Sequence, residues 1–281
     1  MNRTLLLGAV AYDPKVVTIW DGFLRYFARR GLDFDYILYS NYERQVESHF
    51  SGHFHIAWNS PLAWLQTERI AARKGRRAEA LCMRDSDRDL TSVVVTRADS
   101  PLGTLADLAG KRVAFGARDS PQASLIPLGL LSAAGLTPGV DFEPVHFDIL
   151  AGKHGDHIGG ERDAARALLR GDADAACMID ANHLAFQREG TIPPGSTRLL
   201  AVTEPYDHCN FTVLDGAPEK EVSLFRDLLL GMQYADPEVR PLLDMEGLKQ
   251  WLPGRTSGYR ALESAIDRFG TIDEFVARVA G

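Results

Sequence analysis

The residues best equipped for chemistry fall in two short stretches, Lys153-His154-Gly155-Asp156-His157-Ile158-Gly159-Gly160-Glu161 and Tyr206-Asp207-His208-Cys209. His154, His157 and Glu161 supply two imidazoles and a carboxylate, a donor set that suits Zn or Fe. Their spacing matches no standard zinc signature, and it is not the helical His-Glu-x-x-His arrangement. The glycines suit a tight turn, so the same groups also read as a polar loop in water. His208 and Cys209 offer a base and a nucleophile, yet neighbours in an extended segment point to opposite faces. A reactive Cys209 therefore calls on His154 or His157 to lower its thiol pKa. His154, His157, Glu161, His208 and Cys209 are thus the candidate catalytic residues, and the first three are also candidate metal ligands.

A second set suits binding without chemistry. Ser120, Gln122 and Ser124 open an apolar helix, where unpaired backbone N–H groups and the positive end of the helix dipole favour an anion. Asn59 and Ser60 follow one strand and precede Pro61, so they serve either as ligand contacts at a strand's carboxyl end or as a helix cap. Tyr12, Tyr39 and Trp58 lie at the ends of the first three predicted strands and suit an aromatic wall, or simply a core. His157 joins this binding set.

The elements that must position these residues alternate. Short apolar runs such as Thr4 to Ala11, Asp35 to Tyr39 and Phe54 to Trp58 read as strands, and amphipathic segments between them read as helices. The pattern predicts an α/β protein with mixed, mostly parallel sheets flanked by helices. Thr91 to Arg97 and Ser196 to Thr203 bracket a self-contained unit. The expected division is residues 1–96 with 203–281 as lobe 1 and 97–202 as an inserted lobe 2. Two connecting strands would form the hinge.

Composition narrows the partners. The chain has 281 residues, enough for more than one core, and a net charge of -7 that disfavours nucleic acid. The apolar runs are too short for membrane insertion. Three cysteines give no disulfide framework. Because no secretory signal precedes the first strand, the expectation as written is cytoplasmic, or periplasmic if residues upstream have been removed.

Three segments carry a resemblance: His55 to Trp64 (HIAWNSPLAW), Leu105 to Pro127 (LADLAGKRVAFGARDSPQASLIP) and Gly171 to Asp180 (GDADAACMID). Their order and spacing resemble phosphate- and phosphonate-binding proteins of ABC transporters, of the type 2 periplasmic-binding-protein superfamily. The resemblance implies a small anionic, phosphonate- or phosphate-like ligand held in a cleft between two lobes. It implies an ABC transporter permease as partner and no required cofactor. The family's anion-binding turn typically reads Ser-Thr-Ser-Gly. Here Ser120 keeps the first place, while Pro121, Gln122 and Ala123 depart from the rest. The alternative is a cytoplasmic enzyme on the same fold, as in chorismate dehydratase or the pyrimidine synthase of thiamine biosynthesis. It would be metal-dependent through Fe or Zn and use His154, His157, Glu161, His208 and Cys209.

Overall fold

The apolar run after Thr4 forms β1 (Leu5–Val10) in a computed structural model that describes residues 4–155 and 160–281. Val16, Ile19, Trp20, Phe23, Tyr26 and Phe27 recur at three- and four-residue intervals and make the buried face of α1 (Lys15–Arg29). Then follow β2 (Phe34–Tyr39), α2 (Tyr42–Phe50), β3 (Ile56–Asn59), α3 (Pro61–Arg73) and β4 (Ala78–Arg84). Next come β5 (Ser92–Arg97), β6 (Arg112–Phe115), a π-helical turn at Pro121–Leu125, α4 (Ile126–Ala133) and β7 (Glu143–His146). After these lie α5 (Glu161–Arg170), β8 (Ala175–Ile179), α6 (Asp180–Arg188) and β9 (Thr197–Val202). The chain closes with β10 (Asn210–Leu214), α7 (Glu219–Leu230), α8 (Arg240–Glu246), β11 (Trp251–Pro253), α9 (Arg260–Phe269) and α10 (Asp273–Ala280).

These elements form two compact units. The first contains the chain up to Arg88 with Asp207–Gly258 and Ile272–Gly281; the second contains Asp89–Tyr206 and Tyr259–Thr271. The division differs from the expected one. β5 and β9 do not link the units; they pair with each other inside the second. The segment Tyr259–Thr271 also joins the second unit, because α9 packs on α4 so closely that a Cβ on Gly129 would stand 3.2 Å from that of Ala265. The chain therefore passes between units four times rather than twice.

Each sheet is mixed, as the α/β reading expected. The first unit has strand order β11-β4-β10-β3-β1-β2, with β1 parallel to both β2 and β3 and antiparallel pairing from β3 through β10 and β4 to β11. Sequence reasoning missed β4, β10 and β11. Leu81, Cys82, Phe211 and Trp251 from these strands lie in the first unit's core beside Trp20, Phe23, Phe27, Trp58 and Phe225. The second sheet runs β7-β6-β8-β5-β9, with β6 parallel to β7 and β8 and with β5 antiparallel to β8 and β9. Both its faces are covered. Val93, Val95, Ala176 and Met178 meet Leu168 and Phe186, while Val94, Ala175 and Cys177 meet Leu128, Leu131 and Phe142. This alternation is the period-two signature of strands buried on both sides.

Phe211 is fully buried, with its ring 4.6 Å from that of Trp58, 5.0 Å from Phe225 and 5.3 Å from Trp251. Phe211→Ala is expected to destabilise the chain by about 3–5 kcal/mol, read as a lowered urea midpoint.

Candidate functional site

Parallel pairing of β6 with β7 and β8 brings three strand exits to one edge of the second sheet, the place where open α/β sheets collect ligands. The exit from β6 leads to Ser120, that from β7 leads to α5 at Glu161, and that from β8 leads directly to α6.

Ser120 is fully buried and caps the π-helical turn, its Oγ accepting from the Ala123 N–H at 3.1 Å. Gln122, also buried, donates from Nε2 to the Gly155 carbonyl at 2.8 Å, and its own carbonyl accepts from Ser92 Oγ at 2.6 Å. Ser124 donates to the Gly116 carbonyl at 3.2 Å and lies 3.4 Å from His146 Nδ1. His146, unnoticed in the sequence, stacks on Phe115, and burial lowers its pKa so that it is neutral. The segment after β7 is tied to this turn. Arg118 pairs with Asp148 at 2.6 Å and the Gly152 N–H donates to Asp119 at 2.5 Å. Gly155 lies flat against the cap: with φ +66, a Cβ there would fall 2.3 Å from Ser120 Oγ. Only glycine fits.

His154 is buried at 1% exposure with φ +51. His157 lies outside the described residues. Glu161 is fully buried at the first position of α5; its Oε2 accepts from the Ile179 N–H at 3.1 Å and from Asn182 Nδ2 at 2.8 Å. Among the described residues its Oε1 has no hydrogen-bond partner. Burial pushes this carboxyl up to about 7, and the two donated hydrogen bonds only partly offset it. Among the described residues, neither His154 nor Glu161 belongs to a convergent group of three metal-ligating side chains. His157, the third residue of the candidate metal set, lies outside the described residues, so the set as a whole is not seen.

In the first unit Asn59 and Ser60 are buried and satisfied internally. Asn59 donates to Thr212 Oγ1 at 2.9 Å and accepts from Gln45 at 2.8 Å, while Ser60 accepts from the Ala63 N–H at 3.1 Å as the cap of α3. Ser60 followed by Pro61 was a legible cap. Trp58 lies in the core against Phe211 and Trp251 rather than forming an open aromatic wall. Tyr12 packs at the edge of that core below the Lys15 ammonium, and Tyr39 packs on Phe54; both stay half-buried.

His208 and Cys209 meet after all: Cys209 Sγ is 3.1 Å from His208 Nδ1. The expected opposition of neighbouring side chains fails because residues 207–209 precede β10 and are not strand. Asp87 Oδ1 lies 3.5 Å from the same Nδ1. Arg84 holds Asp87 in a fork at 2.6 and 2.9 Å and reaches Glu246 at 3.0 Å. Burial favours the neutral acid at Asp87, but Arg84 and His208 prevail and bring it to about 2. This buried network, invisible in the sequence because its members are scattered from 84 to 246, does not make a catalytic relay. Thiol and carboxylate converge on one ring nitrogen, whereas a relay needs one at each.

A family model describing the phosphonate periplasmic substrate-binding proteins of ABC transporters matches residues 9–259. The chain belongs to this family. Solved structures share its fold. PhnD1 from Prochlorococcus marinus, in complex with methylphosphonate, is 17% identical with a TM-score of 0.70, over 97% of this chain and 100% of that one. XAC2383 from Xanthomonas citri, bound to ATP, is 18% identical with a TM-score of 0.69, over 98% of each. The aliphatic sulphonate binding protein SsuA from Escherichia coli is 16% identical with a TM-score of 0.62, over 98% of this chain and 94% of that one. As a member of the phosphonate-binding family the chain is a ligand-binding protein, and the enzyme alternative is not favoured.

The buried Glu161 of this family member ties stability to pH. The folded chain keeps its proton up to about pH 7, whereas an exposed carboxyl releases it near 4.5. A raised folded-state pKa gives stability that is complete below about pH 4.5 and lost as pH rises through about 7, amounting to about 3 kcal/mol. Glu161→Gln should flatten this slope, so that in urea titrations the variant gains on the wild type between about pH 5 and about pH 8.

Proposed function

We propose that the chain binds a small oxyanion of phosphonate or sulfonate type and serves an ABC transporter permease in the periplasm, with the anion at the helix start formed by Ser120. The observation that carries this reading is the state of the Ser120 hydroxyl. It accepts from the Ala123 N–H, and among the described residues its own proton has no acceptor. A buried O–H without an acceptor, at the positive end of the turn leading into α4, is built to meet an anion oxygen. The family's description as periplasmic supports the location, and the absence among the described residues of a helix long and apolar enough to cross a membrane accords with a binding component distinct from the permease.

Other donors at this helix start are few. Pro121 has no N–H, Ala123 spends its N–H on the cap and Gln122 directs its amide to Gly155. Ser92, Tyr206 and the Gln122 carbonyl form a chain of hydrogen bonds behind the turn, at 2.6 and 2.7 Å, that fixes its position. Such a site holds its donors in place before the anion arrives, which favours affinity by lowering the ordering cost.

Methylphosphonate or methanesulfonate should raise the melting temperature in a concentration-dependent way, by an amount equivalent to about 2.7 kcal/mol at a hundredfold excess over Kd. Ser120→Gly costs only a few tenths of a kcal/mol as a cap, so a roughly ten- to hundredfold loss of affinity in titration calorimetry would report the lost hydroxyl donor. Failure of both anions to stabilise the wild-type chain would sink the assignment.

A further inference from the structure

Three side chains of different chemistry converge inside the first unit, outside the anion-binding turn. Asp87, from the turn after β4, and His208 and Cys209, from the segment before β10, each offer one ligand atom, and these atoms lie within 4.8 Å of one another. His208 Nδ1 stands 3.1 Å from Cys209 Sγ and 3.5 Å from Asp87 Oδ1. Zinc bonds of about 2.0–2.3 Å put neighbouring ligands of a tetrahedron about 3.3–3.6 Å apart. The three atoms therefore already approximate one face of such a shell.

Protons alone serve this arrangement badly. A protonated Nδ1 has one hydrogen for two acceptors, the sulfur and the carboxylate. A bare Nδ1 accepts from the thiol and then turns its lone pair on those of Asp87. A cation at the common point takes a lone pair from all three. We propose that Asp87 Oδ1, His208 Nδ1 and Cys209 Sγ form a binding site for a divalent ion of borderline softness, zinc above all, with water in the fourth position. Nitrogen, thiolate and carboxylate together suit such an ion. Its binding sends the thiol proton to solvent. Asp87 and Cys209 are sealed from water, while the His208 side chain keeps 12% of its surface and leaves a way in.

The surroundings hold the donors ready. The Arg84 fork fixes Asp87 from behind, as the outer partners of a ligating carboxylate commonly do. Arg84 also pairs with Glu246 at 3.0 Å. With Glu246 balancing Arg84, a divalent ion balances the Asp87 carboxylate and the Cys209 thiolate, and the buried set is neutral as a whole. Backbone contacts fix the two segments against each other: the His208 N–H donates to the Asp87 carbonyl at 2.7 Å. Asp207, one residue earlier, donates its N–H to the Gly258 carbonyl at 2.9 Å, and its carboxylate accepts two bonds of 2.6 Å from Arg255. A Cβ on Gly258 would stand 2.1 Å from Asp207 Cγ, so the approach is too close for any other residue.

Titration calorimetry of the full chain with zinc chloride should show one ion bound per chain, and zinc should raise the melting temperature in a concentration-dependent way. Cys209→Ser and His208→Gln should each weaken zinc binding by more than about a hundredfold, because loss of an outer partner alone costs about 10–100-fold. Unchanged zinc affinity in either variant would overturn the site. Zinc-edge X-ray absorption of the unaltered chain gives a reading that does not depend on how well the variants fold. One sulfur neighbour at about 2.3 Å, with nitrogen and oxygen completing the shell, is the expected result. Nitrogen and oxygen neighbours alone, or no stoichiometric zinc, would overturn it.

Discussion

Polar groups taken out of water must find partners, and at the carboxyl edge of the second sheet that requirement shapes everything nearby. Parallel strands deliver their exits to one side, so β6, β7 and β8 crowd three chain turns into one place. Backbone and side-chain donors there cannot all be satisfied by ladder hydrogen bonds. The fold answers with Ser120 on the Ala123 N–H, Gln122 on the Gly155 carbonyl, and Glu161 on Ile179 and Asn182. Among the described residues Asp119 Oδ1 and Glu161 Oε1 stay buried at this edge without a hydrogen-bond partner. Close backbone approach holds these turns together, which is why Gly155 and Gly160 stand where a Cβ would collide.

The first unit pairs many of its buried polar groups with one another, though Gln45 Oε1, Gln66 Oε1 and Trp251 Nε1 have no partner among the described residues. Asp87, Arg84 and Glu246 bring charge of both signs into a buried cluster, and the fork from Arg84 keeps Asp87 ionised despite its burial. Asn59 likewise spends its amide on Thr212 and Gln45. A network whose members satisfy one another fixes a shape. Glu161 has only neutral partners, so burial decides its protonation. Two buried carboxyls of similar exposure are thereby driven in opposite directions by the presence or absence of a cation.

Membership of the phosphonate-binding family agrees with this division of labour. Proteins of the same fold have been solved with methylphosphonate and with ATP. Such a fold supplies an edge lined with donors, and the residues placed there set which anion is accepted. In this chain the turn itself is poor in donors, because Pro121 has no N–H and Ala123 spends its own on the Ser120 cap. Family membership does not favour the enzyme alternative.

Much of the architecture was legible from residue order. Apolar runs and three- to four-residue spacing marked β1, β2, β5, β6, β8 and most of the helices, and Ser60 before Pro61 announced a cap, because these are local properties that depend on near neighbours. The Ser120 turn was also visible, from a polar opening on an apolar helix. By contrast β4, β10 and β11 were not, since antiparallel strands far apart in the chain are selected by pairing rather than by pattern. The move of Tyr259–Thr271 to the second unit, the meeting of His208 with Cys209, and the pairing of Arg84 with Glu246 across the chain were decided by tertiary packing alone. So was the character of Glu161. A sequence gives a carboxyl its identity, but its protonation state depends on which water is excluded and which donors arrive, and only the folded chain determines both.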